Sequence, residues 1–541
     1  RMLNASDSNK KIVFKQFTGA DLTDGSFNPI VVKGTTSTTA DGEYLTYAAA
    51  LEKIGADIAK DTYTISNKVP VDFTAEDAKA LKNLENAEGK TLKFTSGAVD
   101  NAKYGFPTYG RCYHARMRQP IIEMPAGADV EFTNIILKYA EGTNAQNNGE
   151  LFFISNGNKL TFGDGVSFFG EDGGITPTVY AGGNGKDAAA DSELVIQSGA
   201  FKSVYGGNYS AATSGKNVTV KISGTATIAD TLSGGSDQET GTDAKGSRTA
   251  TITINGITAN NNILTVPNIY NYDTLNVDSS LTVSGQLNSE NKSGYTGATI
   301  LAGNTTFTLS NGNGTKKMGS LKMKENAGKN ATLRLARAAT ASGKDASDTG
   351  NPNILTLTGT KPIKPMKSQT AKIDVAYASG TEANNDIVFY LPNAESNAEV
   401  TCEPLKSSFS LTMREKPSDK TIRIYENSVA VFVGTGTTPE VRLTLAEAID
   451  YIAEQEQTTP GQEYTISIFK NEYTIDAADI KALKDIWNDA SARAGAKTAK
   501  KITWTSKKKK DGKPLNTPAT VMVSDNLWLF GKDEIVLENL T

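Results

Sequence analysis

Histidine, cysteine and tryptophan are scarce in this chain of 541 residues, which holds one, two and three of them respectively. The two cysteines, Cys112 and Cys402, are too few for a disulfide-dense scaffold or for a zinc site built of thiolates. No apolar run approaches the roughly 20 residues that span a bilayer, so we expect no membrane insertion. No secretory signal opens the chain, which begins at Arg1, and we therefore expect a segment processed or excised from something longer.

Strong charge of one sign is also absent, since the formal net charge is −4 and the pI is near 5.5. This balance argues against a nucleic-acid partner, which would require a basic footprint. The one basic run, Lys507 to Lys510, is followed by Asp511-Gly512. That sequence is typical of a solvated turn, and a site for a polyanion is the alternative.

Glycine is abundant, with 49 residues, and threonine, serine and asparagine are frequent throughout. This composition favours strands and turns. The length exceeds that of one ordinary globular core, which indicates either several domains or a repeat architecture.

An internal repeat is the most informative feature, because six stretches near the beginning of the chain recur in the same order after residue 430. The offsets between the copies run from 398 to 410. The matched stretches are 30–36 with 431–437, 45–54 with 443–452, 63–66 with 464–467, 77–82 with 479–484, 93–96 with 503–506, and 130–135 with 535–540. We interpret each copy as a start module. Because the second copy ends at Thr541, we expect either that the natural chain continues or that another subunit covers that end.

The start module is predicted to contain two short helices and several strands. Leu45, Ala48, Leu51 and Ile54 recur at helical spacing and predict one buried helix face. A second helix is predicted after Thr74, where Glu76 and Asp77 supply first-turn chemistry. The predicted strands are Thr62–Ile65, Thr91–Phe94 and Val130–Leu137.

Between the two copies lies a series of short segments, and most of them alternate apolar and polar residues with the period of two expected of half-buried strands. They are Leu151–Ile154, Lys159–Phe162, Glu193–Ile196, Val218–Ile222, Ala250–Ile254, Leu281–Val283, Thr305–Leu309, Thr332–Leu335 and Ile354–Leu357. Ser-Gly or Asn-Gly turns follow four such strands, at Ser198-Gly199, Ser223-Gly224, Asn255-Gly256 and Ser284-Gly285. Ser198 and Ser223 are 25 residues apart, as are Val179 and Val204, which is about one coil of a parallel β-helix.

The Val-Tyr-Ala-Gly-Gly-Asn stretch that ends at Asn184 and the Val-Tyr-Gly-Gly-Asn stretch that ends at Asn208 predict tight corners between coils. A phosphate or calcium loop is the alternative, but no Walker-type Gly-Lys-Ser/Thr follows and no calcium nonapeptide is iterated. Asn184 and Asn208 would stack as an asparagine ladder inside the coil.

The Leu-Thr-x-Ala-x-Ala-(Leu/Ile) helix, followed by Tyr-Thr-Ile and strands, resembles the entry to right-handed parallel β-helix proteins of the pectin-lyase-like class. The Val-Tyr-Gly-Gly-Asn and Ser-Gly turns are similar to those of repetitive surface proteins of gut-type Gram-positive bacteria. The likeness covers roughly residues 30–340 and 430–541. It implies an all-β fold, a right-handed parallel β-helix or β-solenoid with short helices in its start module, and a cell-surface location.

Five regions are predicted. They are residues 1–29, an N-terminal extension or junction; 30–140, the start module; 141–340, the solenoid coils; 341–430, closing coils or a small β domain; and 431–541, the second start module.

An arginine- and aromatic-rich stretch is the best candidate for a binding site. Its residues are Tyr109, Arg111, His114, Arg116 and Arg118. Arginine with aromatic rings suits acidic glycans or carboxylates, and a surface loop or a contact between modules is the alternative. The second copy has no equivalent.

A catalytic role is not predicted. The β-helix glycosidases that the fold resembles carry Asp-Asp and Gly-His-Gly motifs, and neither occurs in this sequence. Cys112 and His114 are near neighbours in the sequence, but we do not expect them to form a nucleophile pair. A disulfide between Cys112 and Cys402 is not expected within one chain, although pairing between adjacent units stays open.

The sequence thus favours a non-catalytic extracellular scaffold or adhesin of tandem β-helix units, able to form a head-to-tail filament, layer or cell-wall structure. Its partners would be copies of itself, later repeats of the same chain, or host or microbial glycans, and no metal or cofactor is expected. A polysaccharide-binding or polysaccharide-cleaving β-helix protein is the alternative. A phage or virus fibre is also compatible with the fold.

Overall fold

The computed structural model describes most of the chain, with gaps in loops and at both ends. The described residues are 28–68, 71–96, 114–117, 120–139, 150–170, 176–186, 188–210, 216–237, 248–288, 295–310, 314–323, 331–337, 353–360, 363–364, 371–377, 386–394, 409–412, 420–436, 439–470, 472–506, 520–523 and 534–538.

The chain divides into two compact units. The first unit comprises residues 1–283 and 289–298, and the second comprises residues 284–288 and 299–541.

The first unit contains helices α1 (Tyr47–Ala56) and α2 (Ala75–Lys82) and a 3₁₀ turn (Asn260–Asn262). Its strands are β1 (Ile30–Gly34), β2 (Gly42–Tyr44), β3 (Thr62–Asn67), β4 (Val71–Phe73), β5 (Thr91–Ser96), β6 (His114–Met117), β7 (Ile121–Glu123), β8 (Asp129–Thr133), β9 (Ile136–Tyr139), β10 (Phe152–Ile154), β11 (Asn158–Phe162), β12 (Ser167–Gly170), β13 (Thr178–Tyr180), β14 (Ser192–Ile196), β15 (Ala200–Tyr205), β16 (Val218–Gly224), β17 (Thr227–Ser233), β18 (Ala250–Ile257), β19 (Ile263–Val266), β20 (Asn268–Tyr270), β21 (Thr274–Val277) and β22 (Ser280–Val283).

The second unit contains helices α3 (Leu445–Thr458) and α4 (Ala477–Asp485) and a 3₁₀ helix (Ala492–Thr498). Its strands are β23 (Leu287–Asn288), β24 (Ala298–Leu301, whose first residue belongs to the first unit), β25 (Thr306–Leu309), β26 (Lys316–Met318), β27 (Ser320–Met323), β28 (Ala331–Arg337), β29 (Leu355–Leu357), β30 (Ile363–Lys364), β31 (Ala371–Tyr377), β32 (Asp386–Tyr390), β33 (Phe409–Thr412), β34 (Thr421–Glu426), β35 (Val429–Val433), β36 (Glu440–Arg442), β37 (Glu463–Ile468), β38 (Glu472–Ile475), β39 (Lys501–Thr505), β40 (Thr520–Val523) and β41 (Glu534–Glu538).

Parallel sheets dominate the first unit. One sheet runs in the order β2-β1-β3-β5-β8-β11-β14-β16-β18-β21, a second runs β7-β10-β13-β15-β17-β20, and a third runs β4-β6-β9-β12. From β7 to β13 the chain visits these three sheets in turn, and from β14 to β18 it alternates between the first and the second. Residues 25 positions apart, such as Val179 and Val204, lie side by side. Only β1 pairs antiparallel here, with β2 and β3, among the described pairs of this unit. The fold is therefore strand-dominated with mainly parallel sheets, as the all-β prediction requires, and no sheet in the described part of the chain closes on itself.

The second unit changes from parallel to antiparallel pairing before its own start module. Strands β26, β29 and β32 pair in parallel, and then β34 pairs antiparallel with both β32 and β33. The last sheet follows in the order β36-β35-β37-β39-β41.

Apolar side chains in register form the core of the first unit. Ile65, Phe94, Phe132, Phe162, Ile196, Ile222, Ile254 and Val277 occupy successive strands of the first sheet at one register position. The rings of Phe94, Phe132 and Phe162 stack with centroid separations of 5.2 and 5.6 Å. Each such buried side chain stabilises the fold by about 1.5–3 kcal/mol, and in this architecture the burial depends on the neighbouring strand.

Glycines in the Gly-Gly corners allow close approach between neighbouring strands. A Cβ at Gly207 would lie 2.3 Å from the backbone nitrogen of Ser236, and one at Gly206 would lie 2.5 Å from the carbonyl oxygen of Gly234. Neither distance is tolerable for a carbon atom, so these corners require glycine for space. This confirms the prediction of tight corners.

The structure confirms the position of all nine strands predicted between the copies, to within one or two residues at each start. It also confirms helix α2, in which Thr74 and Asp77 form a reciprocal capping box.

Three local predictions were wrong. The first helix is present, and Leu51 and Ile54 lie on its buried face as predicted, but Tyr47 and Ala50 complete that face in place of Leu45 and Ala48. The helix begins at Tyr47, so Leu45 precedes it and is 41% exposed. The predicted strand Val130–Leu137 is two strands, because Asn134 adopts a left-handed conformation with φ of 46° between them.

The predicted asparagine ladder is also absent from the described residues. Asn184 bridges to Tyr209 rather than to Asn208, and its side-chain amide donates to Glu123 at 2.9 Å. The Asn208 side-chain oxygen instead accepts a hydrogen bond from the Gly183 N–H at 2.8 Å.

The two start modules have the same strand order. In the first copy, β1 pairs antiparallel with β2 and β3, and β5 and β8 extend the sheet in parallel. In the second copy, β35 pairs antiparallel with β36 and β37, and β39 and β41 extend the sheet in parallel. The register corrects the sequence match by two residues: Val32 lies opposite Ile65 and Val431 lies opposite Ile466, so Val32 corresponds to Val431 and not to Val433.

Helix anchoring is also shared between the two modules. Thr46 and Thr444 cap the first helix of each copy. In each copy, an aspartate of the second helix accepts a hydrogen bond from the first turn of the first helix: Asp77 from Ala48 N–H at 2.6 Å, and Asp479 from Ala446 N–H at 2.8 Å.

A short buried joint leads into the second module. Only Asn427 and Ser428 separate β34 from β35. Residues 421–425 and 427–432 are each at most 7% exposed. The Ser428 N–H donates to the Arg442 carbonyl, and its own carbonyl accepts from the Phe469 N–H. The second module therefore follows the antiparallel strands without a solvated linker.

Candidate functional site

The stretch predicted as a contact site falls largely outside the described residues. Tyr109, Arg111 and Arg118 lie outside them, as do Cys112 and Cys402. His114 and Arg116 belong to β6, where the Arg116 backbone pairs with Asp72 on one side and with Lys138 on the other. The grouping of these five residues, and the pairing of the cysteines, stay predictions.

A different cluster is described in full on the second sheet of the first unit. The central residue of each strand in this sheet, such as Val179 or Val204, is fully buried. The residue that follows it points to the opposite face, because side chains alternate along a strand. That row contains Glu123, Ile154, Tyr180, Tyr205, Ser233 and Tyr270 in register.

Aromatic rings pack against one another along this row. The rings of Tyr180 and Tyr205 stack with centroids 5.0 Å apart and an interplanar angle of 14°. Tyr209 lies over them, 5.1 Å from Tyr180 and 5.4 Å from Phe152. Tyr180 and Phe152 are buried, whereas Tyr205 and Tyr209 are partly exposed. The cluster therefore has a buried base and a partly solvated aromatic surface.

Two exposed carboxylates border these rings. Asp237 accepts a hydrogen bond from the Tyr180 hydroxyl at 3.0 Å. Asp230 accepts one from the Asn268 side-chain amide at 3.2 Å. Both carboxylates are thus oriented by neighbours while remaining solvent-exposed.

Burial and these carboxylates raise the pKa values of the tyrosines. For Tyr180 the larger cause is burial, followed by the charge of Asp237. Burial likewise raises the pKa of Tyr205, to which Asp237 and Asp230 add, and that of Tyr270, to which Asp230 adds. All three hydroxyls are therefore protonated at neutral pH and serve as neutral hydrogen-bond groups.

We call the partly exposed Tyr205, Tyr209 and Tyr270, with Asp230 and Asp237, the tyrosine face. It offers partly exposed aromatic rings beside hydrogen-bond acceptors, an arrangement that suits a ligand with both apolar and hydroxyl surfaces. The sequence contained a signal for it, because Tyr180 and Tyr205 precede glycine-rich corners 25 residues apart. These tyrosines were not among the predicted site residues.

Within the described residues, no group of three or more histidine, cysteine, aspartate or glutamate side chains could hold a metal ion. No described helix is long and apolar enough to cross a membrane. No protein-family model, no curated protein and no solved structure matches the chain.

Proposed function

We propose that this chain is an extracellular, cell-surface scaffold built of tandem right-handed parallel β-helix units. Parallel sheets that the chain visits repeatedly, with residues 25 apart in register, support this architecture. Crossovers between parallel strands are right-handed in about 98% of cases, which supports the handedness. The low cysteine content and the polar strand faces are compatible with the surface location.

The observation that carries the proposal is the repeated start module with its buried joint. A repeated module that enters its sheet through two buried residues, Asn427 and Ser428, is suited to continuing a stack rather than to moving as a separate domain. Rigid repetition supplies reach and stiffness, which a scaffold or adhesin requires. Its partners would be further copies or repeats of itself, in a filament or layer.

A polysaccharide-binding role is the second candidate, and the tyrosine face favours it. It is compatible with the scaffold, since an adhesin presents binding surfaces on a stiff support. We propose no catalytic role, because the chain lacks the Asp-Asp and Gly-His-Gly motifs of the β-helix glycosidases.

Electron microscopy of the purified protein at low and high concentration tests the scaffold. We expect thin particles of constant width that associate end to end as concentration rises. Compact particles, or thin particles that never associate, would contradict the filament proposal.

A variant sharpens this test at the joint. Insertion of Gly-Ser-Gly-Ser between Asn427 and Ser428 should introduce a bend of variable angle and a new protease-sensitive site. The matched control is the same insertion between Asn261 and Asn262, in an exposed turn, which should change neither particle shape nor association. Equal behaviour of the two insertions would argue against a rigid joint.

A further inference from the structure

We propose that the tyrosine face binds a neutral glycan chain. This inference rests on the second candidate function above, and it is independent of whether the protein assembles into a filament.

The arrangement of the rings favours an extended ligand. Tyr205 and Tyr270 occupy the same register row with Ser233 between them. They are two strands apart, which is roughly 10 Å along the sheet. Rings set along a line can each contact the apolar face of a different sugar, whereas a small cation is held by rings converging on one point.

Hydrogen-bond groups border the rings. The ordered carboxylates Asp230 and Asp237 accept hydrogen bonds, and holding them in place before binding reduces the entropic cost of association. The tyrosine hydroxyls can both donate and accept.

The charge of the face decides the class of glycan. Two exposed carboxylates repel uronic acids, sialic acids and phosphorylated sugars. Bringing such like charges together would also remove water from both, at a cost in binding free energy. A neutral hexose polymer meets no such penalty. The tyrosine face thus differs from the predicted arginine stretch at 111–118, which would suit acidic glycans.

The test is affinity electrophoresis of the full chain through gels containing soluble β-glucan, mannan or polygalacturonate. We expect retardation by β-glucan or mannan and none by polygalacturonate. Tyr205→Ala and Tyr270→Ala should each weaken binding about tenfold, and Asp230→Asn somewhat less. Tyr451→Ala and Asp278→Asn, which change a partly exposed tyrosine and an exposed aspartate elsewhere, should leave binding unchanged.

Thermal unfolding of every variant separates loss of binding from loss of fold. The proposal is overturned if neither neutral polymer retards the chain, if only polygalacturonate does, or if folded Tyr205→Ala and Tyr270→Ala variants bind like the parent. If any of these results is found while electron microscopy shows end-to-end particles, the scaffold proposal stands and the glycan-binding proposal fails.

Discussion

The two start modules have the same strand order but differ on one face of their first strand. In the first copy, Lys33 is exposed and forms an ion pair with Asp41 at 3.0 Å. Its structural counterpart in the second copy is Phe432, which is fully buried, since Lys33 lies opposite Thr64 and Phe432 lies opposite Thr465. The same backbone thus presents a solvated face in one copy and an internal face in the other.

This difference shows which parts of the module are common and which depend on its neighbours. The common parts are the helix caps, the aspartate that joins the two helices, and a buried tyrosine–carboxylate pair: Tyr63 with Asp57 at 2.8 Å, and Tyr464 with Glu456 at 2.9 Å. The variable part is the face away from the module core. Four predictions test this division, from the largest expected effect to the smallest.

Placing each of these two residues in the other copy should lower stability only in the second copy. Phe432→Lys places a charge in a fully buried position and should lower the free energy of unfolding by about 3–5 kcal/mol. Lys33→Phe, at an exposed position, should change it by less than about 0.5 kcal/mol. Chemical denaturation followed by circular dichroism measures both, and equal costs would remove the distinction between the two faces.

Removing the shared hydroxyl should affect both copies alike. Tyr63→Phe and Tyr464→Phe each delete a hydrogen bond to a carboxylate and should each cost about 1–2 kcal/mol. Hydrogen exchange of the peptides around each strand locates the loss. A cost confined to one copy would show that the pair is not a common element of the module.

Acid should weaken the first copy at a site that the second copy lacks. The backbone N–H groups of Ser37 and Thr36 lower the pKa of Asp61 to about 2, from an ordinary value of 3.8. The ionised carboxylate therefore contributes stability above about pH 4, and this contribution is lost as the pH falls toward 2.

Register places Gln462 at the equivalent position of the second copy, which removes this source of acid sensitivity there. Burial instead raises the pKa of Asp479, so protonation of that group on acidification favours the folded state. Protection of the amides of Thr36 and Ser37, which donate to Asp61, should fall between pH 4 and pH 2 when exchange is expressed relative to the intrinsic rate at each pH. Asp61→Asn should remove most of that change. A fall in protection around 434–436 over the same range would contradict this assignment.

The smallest effect is expected at a surface ion pair. Lys93 and Glu131 lie 3.1 Å apart on the outer face of the first sheet, and register places Thr503 at the position of Lys93 in the second copy. Lys93→Thr should change the free energy of unfolding by less than about 1 kcal/mol. A larger loss of stability in thermal denaturation would show that the Lys93–Glu131 ion pair contributes more than an ordinary surface ion pair.

Sequence periodicity predicted the strands well because their burial is repetitive. Many strands between the copies, such as Val218–Gly224, bury alternate side chains in the core, and this leaves a direct trace in the sequence. Where the backbone departs from that pattern, prediction failed. Asn134 separates β8 from β9 through its left-handed conformation, which the alternation of side chains does not record.

The candidate site was harder to predict, because it is assembled from residues far apart in the chain. Tyr180 and Asp237 are 57 residues apart and meet only once the coils are stacked. Motif spacing drew attention instead to local clusters, such as the stretch that contains His114 and Arg116. The two-residue error in matching the first strands has a similar origin, since only the register with β3 and β37 identifies equivalent positions.

The joint at Asn427 and Ser428 has a mechanical consequence. Two residues span at most about 7 Å, so this connection holds almost no slack. A pull along the chain would load the antiparallel hydrogen bonds of β34 and those of β35 at once, in shear, before any covalent length could be released. Under tension, the contour length of this segment should stay constant until one of the two strands is torn from its sheet.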